Sequence, residues 1–146
     1  METQFTIAWI PAENMKSILP LAYVLNSEQI PIEILENRLT EMIPMGYKCI
    51  GVYDGEALIG ICGVWVLNKL YAGKHVEPDN VIISPNYQGR GIGKLMMDFV
   101  DNYAHEIGCE RAEVNCYAKN IRGKKFWESH GYEPLGIHLI KKLRNE

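Results

Sequence analysis

The sequence predicts a mixed α/β fold in which a central strand passes through a glycine turn into the main helix. Three observations carry this expectation. Val81-Ile82-Ile83 is a short apolar strand, followed by Ser84-Pro85 and then by glycines at 89, 91 and 93. Beyond them Ile92, Leu95, Met96, Phe99, Val100, Tyr103 and Ile107 recur at helical spacing, while Lys94, Asp98, Asp101, Asn102 and Glu106 face away. Upstream, two apolar runs meet at Asp54-Gly55, a tight hairpin signal.

Taken in order, Phe5 to Ile10 reads as a first strand ended by Pro11. A helix over 14–25 follows, which Pro20 should kink or split. Pro31 suits the start of a second helix, with Ile32, Leu35, Leu39, Met42 and Ile43 on one stripe and Pro44 and Gly46 closing it. Strands over 47–53 and 57–67 form the hairpin, and 68–75 reads as a polar connection. A fourth strand lies within 76–84, and Gly108 stops the main helix. Ala112 to Tyr117 alternates as a fifth strand, Asn120 caps a short helix ending at Gly131, and 132–143 reads as a terminal strand. No linker or repeat interrupts this order, so residues 1–146 are expected to form a single domain.

Composition narrows the class. With 47% hydrophobic and 23% charged residues the chain has the makeup of a soluble globular domain. A net charge of −3 argues against a nucleic-acid partner, which favours a basic surface. No apolar run approaches a membrane span, and Met1-Glu2-Thr3-Gln4 lacks the flank of a signal peptide. Cys49, Cys62, Cys109 and Cys116 show no metal-ligand spacing and read as reduced thiols of a cytoplasmic protein. His75, His105, His130 and His138 are dispersed, read as solvent or loop histidines, and no metal is expected.

Three glycines at a helix start are unfavourable unless the backbone itself touches something. The first N–H groups of a helix have no intrahelical partner and the dipole favours negative charge there, so the turn reads as a phosphate or pyrophosphate cradle. A Walker loop fails because Leu95 follows Gly93-Lys94 where Ser or Thr would bind magnesium. A dinucleotide fingerprint fails on spacing: its third glycine position is Lys94 or Met96.

The string Gln88-x-x-Gly91-x-Gly93 after an apolar strand and Ser84-Pro85 resembles the acyl-CoA-binding motif of the GNAT superfamily of N-acyltransferases. A second signature also looks like that family's: Asn120, then Phe126-Trp127-Glu128-Ser129-His130-Gly131-Tyr132. The resemblance extends to the element order over nearly the whole chain. It implies the GNAT fold, with a mixed central sheet whose fourth and fifth strands splay apart. It also implies transfer of an acetyl group from acetyl-CoA to an amine.

By this resemblance the backbone of Gly89, Arg90, Gly91, Ile92, Gly93 and Lys94 holds the CoA pyrophosphate, with added charge from Arg90 and Lys94. Gln88 caps the turn or contacts phosphate. Ile83 and its neighbours pair with the pantetheine arm, and the Ile83 N–H polarises the thioester carbonyl. Asn120 and Trp127 belong to the second signature, with Trp127 as a wall against the CoA arm. Glu77, eleven positions before Gln88, stands where some family members place a catalytic glutamate. Strand alternation puts Glu77 and Asp79 on one face with Val81 and Ile83 unless a bulge intervenes, and His75 is a weaker candidate base. Trp127 replaces the tyrosine thought to protonate the departing thiolate; indole has no proton to give near neutral pH, so no general acid is assigned.

The family builds its acceptor pocket from the first two helices and the connection between the third and fourth strands, which here carry Tyr23, Asn26, Glu28, Glu33, Trp65, Tyr71 and His75. These suit a small-molecule or peptide amine, with no membrane or nucleic-acid partner, while a homodimer stays open. The run from Tyr87 to Lys94, with Ile107-Gly108-Cys109 beyond, is similar to amino-sugar-phosphate acetyltransferases. The rival class is a non-catalytic acyl-CoA-binding regulatory module, and a third reading keeps catalysis with a longer acyl donor.

Overall fold

Asp54 pairs with Ala57 across a two-residue turn, and this hairpin of β2 (Lys48–Asp54) and β3 (Ala57–Lys69) is the middle of the sheet. A computed structural model describes residues 4–144. Around the hairpin stand β1 (Phe5–Trp9), β4 (Gly73–Ile83) and β5 (Arg111–Ala112), in spatial order β1-β2-β3-β4-β5. The first three pairings are antiparallel, and β4 with β5 is parallel. The helices are α1 (Leu19–Leu25), α2 (Ile32–Met42), α3 (Ile92–Glu106) and α4 (Ile121–Ser129). The chain divides into two compact units, Met1–Glu113 and Val114–Glu146.

In the first unit both faces of the sheet are covered, which is why β3 reads as a near-continuous apolar run rather than an alternating one. Cys49 and Ile61 face one side and pack with Ile10, Met15, Ile18, Leu19 and Leu39. Their strand neighbours Ile50, Val52, Cys62, Val64 and Val76 point the other way and are fully buried. On that side α3 contributes Ile92, Met96, Met97 and Val100, and a Cβ placed on Gly60 would touch both Ile92 and Val52 at 3.6 Å. Each such side chain contributes about 1.5–3 kcal/mol when fully removed from water. This burial fixes the start of α3 against the sheet.

Several expected elements take a different form. Pro20 splits the first helix: a 3₁₀ segment, Ala12–Ile18, precedes α1, and the proline sits in the first turn of α1 where no N–H is needed. The polar connection over 68–75 is much shorter, because β3 continues to Lys69 and β4 begins at Gly73. His75 is therefore a strand residue with no solvent exposure, not a loop histidine. The expected fifth strand over 112–117 is only Arg111–Ala112, since a strand persists only while a partner runs beside it.

A bulge also intervenes in β4. The register passes from Ile61↔Ile82 to Gly63↔Asp79, so Asn80 and Val81 together stand opposite Cys62, and Asn80 takes a left-handed φ of 59°. The extra residue reverses the alternation. Glu77 and Asp79 share a face with Ile82, and Val81 and Ile83 do not join them, contrary to the simple alternation.

The second unit is built on α4. Asn120 caps it as expected, its Oδ1 accepting from the Gly123 N–H at 2.9 Å. Trp127 packs edge-on against Phe126 at 5.0 Å and Tyr132 at 5.2 Å. The expected terminal strand over 132–143 does not form; the alternation of Leu135, Ile137 and Leu139 has no ladder to join among the described residues.

Gly63 marks a close approach of β3 to β4, where an added Cβ would collide with the Tyr47 hydroxyl and the Asp79 carbonyl. Gly63→Ala should lower stability by about 1–3 kcal/mol in urea unfolding. An unchanged unfolding midpoint would show that the bulge yields freely.

Candidate active site

The ladder between β4 and β5 consists of His75↔Arg111 and Val76↔Ala112 and closes with the Glu113 N–H donating to the Val76 carbonyl at 2.9 Å. Beyond it the ladder ends, and β4 from Glu77 to Ile83 keeps a strand partner on the β3 side alone among the described residues. Ser84 donates to the Ile59 carbonyl at 2.8 Å, which makes Ser84 opposite Ile59 a hydrogen-bonded position. Ile83, opposite Gly60, is then a non-hydrogen-bonded one, so its N–H and C=O point to the open edge. Gln88 uses that edge: its Nε2 donates to the Ile83 carbonyl at 3.2 Å. This is the capping alternative for Gln88.

The glycine turn follows directly. Pro85–Tyr87 form a 3₁₀ turn, Gln88 is extended, and Gly89 and Gly91 take φ of 79° and 80°, where a Cβ would be strained. Space beyond both Cα atoms is open. Gly91 is the N-cap of α3, with no side chain capping the helix and no acidic residue in its first turn. The first intrahelical bond is Leu95 N–H to the Gly91 carbonyl, which leaves the amides of Ile92, Gly93 and Lys94 unpaired within the helix. A bare helix start with open space above its glycines fits a diphosphate.

The turn is anchored by Tyr87. Its hydroxyl donates to Asp54 Oδ2 at 2.7 Å, and its ring stands edge-on to Phe5 at 5.9 Å. The Arg90 guanidinium lies over the same ring, 5.1 Å from its centroid, while Lys94 pairs with Asp98 at 2.7 Å one turn along α3.

Where the strands part, four polar side chains gather. His75 Nε2 lies 3.0 Å from Glu77 Oε2 and 3.8 Å from Glu113 Oε1. Glu113 also accepts from the Tyr71 hydroxyl at 2.8 Å. Glu77 and Glu113 are 20% and 24% exposed, so both reach solvent although His75 does not. The donor atoms of His75, Glu77 and Glu113 lie within 4.8 Å of one another. Lys69, 4.0 Å from Glu77, and Arg111, 3.6 Å from Glu113, already flank the carboxylates, so a dication would meet two positive groups there. Asp79 is engaged elsewhere, accepting from Trp65 Nε1 at 3.0 Å.

The two core cysteines, Cys49 and Cys62, are poor nucleophiles. Burial, first of all, pushes the Cys49 thiol up to about 12 and raises Cys62 as well.

The expected site residues Glu77, Asp79, Ile83, Gln88, Gly89, Arg90, Gly91, Ile92, Gly93 and Lys94 all lie along one continuous course of the first unit, from β4 into α3. Asn120 and Trp127 lie in the second unit. Sequence patterns do not reveal Glu113, because a parallel register cannot be read from one strand, and they misplace His75 by starting β4 three residues late.

A five-stranded mixed sheet whose parallel β4–β5 pairing lasts two residues, with a glycine-started helix following β4, is an architecture of the GNAT type. The chain belongs to the acetyltransferase (GNAT) family: residues 13–132 match that family's model. A probable glucosamine 6-phosphate N-acetyltransferase of Drosophila melanogaster is 37% identical over 54 residues, covering 37% of this chain and 23% of its own length. The chain thus spans about a quarter of that relative. The glucosamine 6-phosphate N-acetyltransferase of Schizosaccharomyces pombe is 30% identical over 101 residues, 65% of this chain and 86% of its own. Among solved structures, AAC(6')-Iy in complex with a bisubstrate analogue, CoA-S-monomethyl-acetylneamine, superposes with a TM-score of 0.81 at 14% identity, covering 98% of this chain and all of that one. This likeness bears on the fold. No helix among the described residues is long and apolar enough to cross a membrane.

The tie between Tyr87 and Asp54 carries a pH dependence. The Asp54 carboxylate, as hydrogen-bond acceptor, holds the Tyr87 phenol above its ordinary value. The raised group contributes its tie fully below the ordinary value of about 10 and loses it as pH rises through the raised one. Amide exchange over 88–91, corrected for intrinsic rates, should therefore gain a step in that alkaline range that Tyr87→Phe lacks. Identical profiles for the two proteins would show that the turn is held by other contacts.

Proposed function

We propose that this chain transfers an acetyl group from acetyl-CoA to a primary amine of a small molecule or peptide by direct attack, and that residues 1–146 work as one N-acetyltransferase domain. The observation that carries the reading is the uncapped start of α3, open above Gly89 and Gly91, fed by a strand whose outer edge from Glu77 to Ile83 has no strand partner among the described residues. The family match across 13–132, spanning both compact units, supports it.

In this reading the amides from Gly89 to Lys94 take the pyrophosphate, and the edge of β4 takes the pantetheine amides as an added strand would. The Ile83 N–H, aimed at that edge, is a donor for groups of the acyl donor. Asn120 holds α4, and Trp127, whose indole is no acid near neutral pH, does not supply a proton.

The acceptor arrives as an ammonium, with an ordinary pKa of about 10.4, and must lose a proton before it can attack. Glu77 is the base: it is part-exposed and stands at the fork. Asp79 serves less well because Trp65 holds its carboxylate. The freed amine attacks the thioester carbonyl, the C–S bond breaks, and CoA leaves as thiolate, a fair leaving group. The relatives named as glucosamine 6-phosphate N-acetyltransferases favour an amino-sugar phosphate among small amines.

Gly91→Glu, which fills and charges the cradle, should raise the Kd for acetyl-CoA by 100-fold or more, about 2.7 kcal/mol. Undiminished affinity in a folded variant would remove the turn from the site. Glu77→Gln should lower kcat by about 10²–10⁴-fold in an amine panel while sparing acetyl-CoA affinity. Tight CoA binding with no thiol release from wild type over the whole panel would favour the regulatory-module reading.

A further inference from the structure

His75 is completely buried, yet both of its ring nitrogens face oxygen atoms. The Gly73 carbonyl lies 3.1 Å from Nδ1 and Glu77 Oε2 lies 3.0 Å from Nε2, and both oxygens are acceptors. A neutral imidazole carries one N–H, so beside an ionised Glu77 one of the two contacts sets a bare lone pair against an oxygen. Two bare acceptors at that distance repel. Both contacts become hydrogen bonds only when His75 and Glu77 together hold two protons, one on Nδ1 and one between Nε2 and Oε2.

The surroundings admit a proton there and balance its charge. Glu113 Oε1 is 3.8 Å from the same Nε2, Tyr71 donates to Glu113, Lys69 stands 4.0 Å from Glu77, and Arg111 stands 3.6 Å from Glu113. Two helices pack on β4: α1 carries Tyr23 as its one titratable side chain, and α3 carries Lys94, Asp98, Asp101, Tyr103, His105 and Glu106. Since His75 has no solvent-exposed surface and Glu77 has some, Glu77 is the proton's route between the imidazole and the fork.

We propose that His75 is a positioning residue that holds one proton in common with Glu77, and that this pair, not Glu77 alone, receives the proton from the acceptor amine. The catalytic half of this inference rests on the function proposed above; the shared proton does not. The ammonium N–H bond breaks, its electrons stay on nitrogen, and the proton goes to Oε1 of the Glu77 carboxylate, while the shared proton stays between Oε2 and Nε2. The amine then forms the C–N bond to the acyl carbon, and the C–S electrons leave with sulfur. The second nitrogen proton goes to the thiolate, and the pair returns its proton to water. The imidazole keeps the Glu77 carboxylate aimed at the fork.

Labelling histidine with ¹⁵N and glutamate with ¹³C makes both partners visible by NMR, with His75 assigned by its loss in His75→Gln. The two His75 nitrogens and the Glu77 carboxyl carbon should follow one common titration curve. In Glu77→Gln, which leaves the imidazole in place, the His75 nitrogens should lose that common curve. A His75 curve independent of Glu77 would overturn the shared proton whether or not the protein acetylates anything. In kinetics, His75→Gln should lower kcat by about tenfold or more, shift the ascending limb of the pH profile, and leave the KM for acetyl-CoA unchanged. A coupled titration with wild-type kcat and pH profile in His75→Gln would overturn the catalytic role alone.

Discussion

The parallel pairing of β4 with β5 lasts for His75↔Arg111 and Val76↔Ala112 and ends with the Glu113 amide on the Val76 carbonyl. The features of the proposed site in the first unit depend on where that ladder stops. Because it stops there, Glu77 and Glu113 stand side by side at the point of divergence, with His75 buried between them and the sheet. Because it does not resume among the described residues, the outer edge of β4 up to Ile83 keeps backbone groups aimed at an open side. A backbone edge is a strong hydrogen-bonding surface, and a partner for it is worth having.

The same strand leads straight to the anion cradle, and packing holds the two in fixed relation. Ile92, Met96, Met97 and Val100 bury one face of α3 against the sheet, so the helix start cannot drift from the end of β4. Gln88 ties the turn back to the Ile83 carbonyl, and Tyr87 ties it to Asp54 at the end of β2. Glycine is therefore required here for two separate reasons: left-handed backbone at 89 and 91, and open space over the helix N–H groups. A rigid frame presenting bare amides at one end and a carboxylate at the other suits a long donor with an anionic head and a reactive tip.

Much of this is legible in the amino-acid sequence. The glycine turn, the limits of α3, the Asp54-Gly55 hairpin and the Asn120 cap all follow from local rules, since each depends on residues within one or two turns of chain. What escapes is non-local. The bulge at Asn80 shows only in the pairing with β3, so simple alternation puts Val81 and Ile83 on the wrong face. Glu113 joins the site through a parallel register, and His75 through a strand beginning at Gly73 rather than Val76. The apolar alternation over 132–143 promises a strand, but alternation describes a face and not a partner.

The central claim is that acetyl-CoA lies along the open edge of β4 and ends on the start of α3. An amide-resolved ¹H–¹⁵N titration of the wild-type protein with acetyl-CoA tests it most directly. The largest shifts should fall on Ile83 and on the amides from Gly89 to Lys94, saturating together. Saturable binding that leaves those amides unmoved, with the shifts gathered elsewhere, would contradict it.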